Sequence, residues 1–227
     1  GTGGNDTPEE PDTPEDPILA GLARLIKDTK IPIERRKLQL RYAKALQAAE
    51  RYGEAVVQFR ELIADTPDAA EKAELSLELA ACHQRADEIA PYLEILTKIA
   101  ELPPTTALAP HGTMACRLLA KYYQDQKNPF LRNRYLLDIA DRYGKVAPVS
   151  AAEALFQVAT WHEQKGRERS AVDMLKRISK DLSAAGKDTQ TRANTEMARI
   201  YKEHPELSKR AEEKEDAANT TPDAIVL

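Results

Sequence analysis

One short pattern recurs at a nearly constant interval along this chain. In it, an alanine follows a larger residue, and a bulky or aromatic residue comes three positions after the alanine. A period of about 40 residues is typical of stacked helical hairpins, in which each repeat buries one face against its neighbour. This interval narrows the possible folds more than any other feature of the sequence. The five marker alanines are Ala43, Ala80, Ala120, Ala159 and Ala198, at intervals of 37, 40, 39 and 39 residues.

A second amphipathic segment follows each of the first four marker alanines after a short break. Prolines stand after three of these segments, where a helix must end because proline lacks the backbone N–H. The composition agrees, since 42% of residues are hydrophobic, 5% are aromatic and only 9 are glycines, too few for the turns of a sheet. The sequence therefore predicts an all-α fold with almost no strand. The second segments are residues 53–65, 88–102, 129–142 and 167–182, and the prolines are Pro67, Pro103, Pro104 and Pro148.

The two ends of the chain differ in composition from the repeat region. Residues 1–16 have no apolar side chain to bury, which predicts a disordered, acidic, Pro-rich tether. A helical repeat domain is expected over residues 17–208, and Pro17 and Asp16 suit the first turn and the cap of its first helix. The remaining segment, 209–227, is expected to form a charged capping helix and a tail.

The first and fourth units share a longer pattern. It comprises Tyr42, Ala43, Leu46, Tyr52, Gly53, Glu54, Ala55, Phe59 and Pro67 in the first unit, and Leu155, Val158, Ala159, His162, Gly166, Ala171 and Leu175 in the fourth. This pattern resembles the tetratricopeptide repeat. Gln39 stands where that family has its leading tryptophan, and Tyr92 and Arg132 stand where it prefers a small alanine. The resemblance covers roughly residues 34–204. It implies a right-handed α-solenoid of about four to five hairpins that binds an extended or helical peptide.

A narrower similarity concerns the segment from Tyr143 to Gly166. It is similar to the Tyr-Pro-x-Ser junction of tetratricopeptide proteins in bacterial envelopes, such as the outer-membrane assembly lipoproteins and the Tol-Pal-associated cell-division coordinator. The proline here is Pro148, which does not follow the tyrosine directly. Together with the acidic tether, this similarity favours an exported protein, periplasmic or lipoprotein-tethered, over a cytoplasmic one. Because the chain begins Gly-Thr-Gly-Gly, we expect the native N-terminus to have been removed.

The first helices of a solenoid line its concave face, the usual binding surface. Because each marker alanine faces the second helix, the residue directly after the alanine should point to this face. The residue four positions before that one, a turn earlier on the helix, should point the same way. These positions are basic in the first and third hairpins and apolar between them, which favours a non-catalytic scaffold for an acidic or polar peptide. The alternative is that these cations are ordinary solvated charges. The candidate partner-binding residues are Leu40, Lys44, Leu77, Arg117, Lys121, Phe156 and Arg199.

Single-stranded nucleic acid is the alternative ligand. The segment 121–135 interleaves aromatic residues, which could stack on bases, with cations that could neutralise phosphates. However, 33 basic and 37 acidic residues give a net charge of −4 and no broad positive field, which disfavours this alternative. The aromatic residues are Tyr122, Tyr123, Phe130 and Tyr135, and the cations are Lys121, Lys127, Arg132 and Arg134.

The motifs of common catalytic and metal sites are missing from the sequence. His162-Glu163 lacks the second histidine one turn later that zinc proteases carry, and no phosphate-binding Gly-Lys-Ser/Thr loop occurs. Cys82 and Cys116 do not have zinc-ligand spacing, so we expect both to be buried, reduced and unlinked. We therefore expect no enzyme activity, no metal and no cofactor.

Overall fold

Helices form all of the regular structure between residues 16 and 207, the part of the chain that this computed structural model describes. The all-α prediction is confirmed for that range, in which no strand occurs and no helix is long and apolar enough to cross a membrane. The tether expected over residues 1–16, apart from Asp16, and the capping helix and tail of 209–227 lie outside it. The helices are α1 (Pro17–Asp28), α2 (Pro32–Ala48), α3 (Tyr52–Ala64), α4 (Ala69–Arg85), α5 (Ile89–Ala100), α6 (Ala109–Asp125), α7 (Pro129–Tyr143), α8 (Pro148–Gln164), α9 (Glu168–Asp181) and α10 (Lys187–Glu203), with a short 3-10 helix at Ser183–Ala185.

Local sequence signals place the helix ends. The Asp16 carboxylate accepts a hydrogen bond from the Ile18 N–H at 2.9 Å, and Pro17 occupies the first position of α1. Both features stabilise a helix start, since the first N–H groups have no partner inside the helix. The four predicted second segments correspond to α3, α5, α7 and α9, and their ends agree within two residues. The hairpins are therefore α2/α3, α4/α5, α6/α7 and α8/α9.

One type of turn joins the two helices of each hairpin. Its central residue has a left-handed backbone, and the next residue donates its N–H to the carbonyl five positions earlier, as in a Schellman motif. The turns recur at the intervals of the first four marker alanines, which confirms the repeat for these four hairpins. The central residues are Glu50, Asp87, Lys127 and Gly166, with φ of 59°, 60°, 54° and 65°.

The chain divides into two units, one up to Tyr92 and one from Leu93 onward. In the first unit α1 packs on α2, α2 on α3, and α3 on α4. Ala43 is fully buried there, which allows α3 to approach α2 closely while Phe59 and Leu62 fill the interface. The marker alanine of α4, Ala80, is buried as well.

In the second unit α6 packs on α7, α7 on α8, α8 on α9, and α9 on α10. Ala120 and Ala159 are buried as expected. The expectation for the fifth copy is wrong, because Ala198 is exposed and Ala193 is fully buried instead. The face that α10 turns to the core contains Ala193 and Ile200, seven residues apart, and Ala198 lies outside it.

Candidate partner-binding site

The first unit contains three of the predicted partner-binding residues. Lys44 on α2 is exposed, and its Nζ lies 3.9 Å from Glu78 Oε1 on α4. Leu40 and Leu77 are half-buried. Leu40 lies in an apolar slot of about 220 Å³ together with Ile33. The first helices of this unit therefore present an ion pair beside apolar side chains, rather than an isolated cation.

Acidic residues compensate the predicted cations of the second unit. Arg117 Nη2 on α6 lies 2.6 Å from Glu153 Oε2 on α8. Arg199 on α10 donates to both carboxylate oxygens of Glu163, at 2.7 and 2.8 Å, and these hydrogen bonds raise the pKa of the guanidinium. Lys121 lies 4.0 Å from an aspartate on its own helix. The predicted contact positions of these helices are thus less basic in the structure than the sequence indicates.

Phe156 lies in the core of the second unit. Its side chain is 5% exposed, and the Arg192 guanidinium covers the ring at 3.9 Å from the centroid. The sequence predicts Phe156 as an apolar contact for a partner, but in the structure its ring packs in the buried cluster of this unit. The partner-binding role of all seven predicted residues stays a prediction.

A larger groove of about 460 Å³ lies where the end of α6, the turn into α7 and the C-terminal half of α8 come together. We call it the Trp161 groove, after the only tryptophan of the chain. Thr160, which follows the marker alanine of α8, is one of the residues that line it. The groove is lined by Gln124, Lys127, Asn128, Pro129, Arg132, Gln157, Thr160, Trp161, Gln164 and Lys165.

The lining residues carry three positive charges and no carboxylate. Lys127 and Lys165 are exposed and form no ion pair within residues 16–207. Arg132 donates from Nε to Gln124 Oε1 at 3.3 Å, and burial lowers the pKa of its guanidinium. Uncompensated positive charge of the second unit is therefore present in the Trp161 groove, whereas Arg117 and Arg199 are paired.

Hydrogen-bond donors outnumber acceptors in this groove. Gln124 accepts from Arg132, and Asn128 Oδ1 accepts from the Leu131 N–H at 3.1 Å, so both amides keep their NH₂ groups for a ligand. The side-chain amides of Gln157 and Gln164, both on α8, make no hydrogen bond within residues 16–207. With the two lysines, these amides suit a ligand that is rich in acceptors.

Trp161 is held from two sides. The Arg167 guanidinium stands 5.5 Å from the indole centroid, and the His162 ring packs edge-on at 5.0 Å. Burial, and secondarily the charge of Arg167, lower the pKa of His162, whose Nδ1 is buried without a partner. At the equivalent position of α4, His83 Nδ1 instead lies 2.5 Å from Glu88 Oε2. His83 and His162 hold equivalent positions in the repeat, but the charged neighbour of His83 is Glu88 and that of His162 is Arg167.

The aromatic residues proposed to bind nucleic acid largely contact one another. Tyr123 and Tyr135 are stacked at 5.7 Å with an angle of 9° between their rings, and Tyr122 packs edge-on against Tyr123 at 5.2 Å. Phe130 differs from them, because 77% of its surface is exposed. Most of this aromatic surface is therefore already used inside the protein.

The two cysteines are free and buried, as expected. Burial raises the pKa of Cys82 to about 11 and that of Cys116 to about 12, so neither is a thiolate at neutral pH. Within residues 16–207, no cluster of three or more His, Cys, Asp or Glu side chains could hold a metal ion.

The sequence reasoning missed Trp161 and the amides around it. Two signals were available in the sequence. The only tryptophan comes two residues after a marker alanine, and Gln157 and Gln164 are seven residues apart, which places them on the same face of α8. Neither signal shows that α6 and α7 complete a groove at this place.

The solved structures that are similar to this chain include the following two. One is the crystal structure of BtubC (BKLC) from P. vanneervenii, with 11% identity, a TM-score of 0.48, and coverage of 92% of this chain and 94% of that one. The other is MamA MSR-1 C2, with 20% identity, a TM-score of 0.34, and coverage of 78% and 98%. No family model and no curated protein matches the chain. The description as a TPR-like array of helical hairpins therefore rests on the repeated turns and buried alanines.

Proposed function

We propose that this protein is a non-catalytic scaffold whose first helices bind an extended segment of a partner protein, with the Trp161 groove as the principal contact of the second unit. The observation that carries the proposal is the groove itself. It offers amide NH₂ groups and lysine ammonium groups with no partner in the described residues, beside a tryptophan that can contribute apolar contact area.

The chemistry of the lining residues favours binding over catalysis. Glutamine and asparagine amides donate and accept hydrogen bonds but do not ionise near neutral pH, so they do not serve as general acids or bases. They can hold the carbonyl and N–H groups of an extended backbone. The seven residues predicted from the sequence remain part of the proposal as further contacts, above all Lys44 and Lys121, whose side chains are the most exposed of the set.

A photo-crosslinking experiment tests the scaffold function. A benzophenone amino acid is placed at Thr160, which is exposed on the inner side of α8, and in a matched control at Asp173, which is exposed on the second helix α9. We expect one partner protein to crosslink from Thr160 and not from Asp173. That partner should bind more weakly to Trp161→Ala, because the largest apolar contact of the groove is removed.

Two outcomes contradict the proposal. One is the same set of crosslinked proteins from both positions. The other is unchanged partner affinity in Trp161→Ala and in Lys44→Glu with Lys121→Glu, while circular dichroism shows that the helices are intact.

Single-stranded nucleic acid is a second candidate, supported by the exposed Phe130 ring close in sequence to Lys127. A labelled oligonucleotide tests it, and absence of binding at about 50 mM salt rejects it because phosphate contacts are strongest at low salt.

An exported location is also part of the proposal. It is supported by the similarity of the segment from Tyr143 to Gly166 to envelope proteins, and fractionation of the native host tests it.

A further inference from the structure

We infer that the ligand of the Trp161 groove is an acidic peptide segment in extended conformation, whose side-chain carboxylates bind Lys127 and Lys165. This inference rests on the proposed scaffold function and names the chemistry of the partner. The first argument is charge. In a chain with net charge −4, two exposed lysines and Arg132 line one groove that has no carboxylate in its wall.

The second argument is the pairing of the neighbouring cations. Arg117 and Arg199 have glutamate partners on α8, so a ligand carboxylate would have to displace Glu153 or Glu163 to reach them. Lys127 and Lys165 have no such competitor in the described residues. An incoming carboxylate gains an ion pair there without breaking one, which favours the groove over the flanking positions.

The third argument is the excess of donors. The NH₂ groups of Gln124 and Asn128 are left for a ligand, because their oxygens already accept hydrogen bonds within the protein. An extended peptide presents the side-chain carboxylates of every second residue on one face, and its backbone carbonyls are not used in a helix, so both kinds of acceptor are open to these donors. A helical ligand would use its own carbonyls internally.

A peptide fits better than a nucleic acid strand. Bases bind single-strand sites by stacking on open aromatic faces. Arg167 stands over the Trp161 ring, and Tyr123 and Tyr135 stack on each other, so few free faces are left for bases. The exposed Phe130 is a single ring. Oligonucleotide binding is therefore one of the outcomes that would overturn the inference.

The only tryptophan of the chain gives a direct readout of this site. The probe is a synthetic nine-residue peptide of alternating Glu and Ser, and the control peptide has Gln in place of every Glu. We expect the Glu peptide to change Trp161 emission on titration and to bind at least ten-fold more tightly than the Gln peptide. Its affinity should fall as salt is raised, because exposed ion pairs are screened.

Charge reversal locates the contact. Lys127→Glu with Lys165→Glu should weaken the Glu peptide at least ten-fold, whereas Lys145→Glu with Lys180→Glu, exposed lysines outside the lining, changes net charge equally and should leave binding nearly unchanged. The turn should tolerate Lys127→Glu, since Glu50 occupies the same left-handed position in the first hairpin.

Several results overturn the inference. These are equal binding of the Glu and Gln peptides, equal weakening by the two double variants, no change in Trp161 emission at millimolar Glu peptide, or tighter binding of a fifteen-nucleotide oligo-dT. If the partner crosslinked from Thr160 binds the Lys127→Glu, Lys165→Glu variant with unchanged affinity, the acidic ligand is wrong and the scaffold function stands. If no partner crosslinks selectively from Thr160, the scaffold function itself fails.

Discussion

Replacing Gly166 by alanine tests whether the repeated turn governs stability. Gly166 has a φ of 65°, and a Cβ built on it would meet only Glu168 Oε1, at 4.0 Å. The substitution therefore introduces no steric clash, and its effect is conformational. A side-chain-bearing residue in the left-handed region costs about 1–2 kcal/mol. Alanine also restricts the unfolded chain, which offsets about 0.4–1 kcal/mol of that loss.

The free energy of unfolding should accordingly fall by about 1 kcal/mol, since the conformational cost exceeds the offset. In a chain of this length such a loss lowers the melting temperature by about 2–4 °C. Urea denaturation followed by circular dichroism at 222 nm measures the change as a lower midpoint at constant slope.

The opposite substitution at the equivalent turn is the matched control. Lys127 has a φ of 54° in the same second unit, so Lys127→Gly should relieve the strain that Gly166→Ala introduces and raise the midpoint. If Lys127→Gly lowers stability as much as Gly166→Ala does, or if Gly166→Ala has no effect, the left-handed turn does not decide stability here.

Three further predictions concern the second unit and the thiols. Tyr143→Phe should lower the free energy of unfolding by about 2 kcal/mol, because the single proton of the buried hydroxyl is shared between the Ala100 and Leu102 carbonyls, each 3.0 Å away, and both carbonyls would lose this donor; an unchanged urea midpoint would contradict this. The lowered pKa of His162 means that the unfolded chain binds its proton more readily, so this residue's contribution to stability is present above pH of about 6.5 and lost as pH falls. Stability measured from pH 7 to 5 should therefore decline less in His162→Gln, and parallel curves would refute the assignment. Cys82 and Cys116 should not react with a thiol reagent until the protein unfolds, so rapid labelling of the native protein would show that they are accessible.

Two structural features of the second unit could not be derived from local pattern. Nothing in the sequence of α6 distinguishes Gly112 from an ordinary small helical residue. In the structure, a Cβ at this position would lie 2.2 Å from Tyr143 Oη, too close for a side chain. The contact depends on the approach of α7 to α6. The burial of Ala193 rather than Ala198 likewise depends on which face of α10 meets α9. Both are set by packing between helices, which hydrophobic spacing within one helix does not specify.

The candidate site shows the same division. From the sequence one could expect that first helices present Lys44, Arg117 and Arg199, since side-chain direction follows from the helical period. The ion pairs of Arg117 and Arg199 could not be expected, because their partners, Glu153 and Glu163, come from a neighbouring hairpin. The same is true of Phe156, which Arg192 covers.

The features that follow from the sequence are local: the helix ends at prolines and caps, the alanine period and the positions of the turns. These follow from the backbone of a few consecutive residues and from the spacing of apolar side chains. Only the packing of the helices shows which charges are paired between helices and where a groove forms. The Trp161 groove combines Gln124 of α6, Arg132 of α7 and Trp161 of α8, and only the packing of these helices brings their side chains to one place.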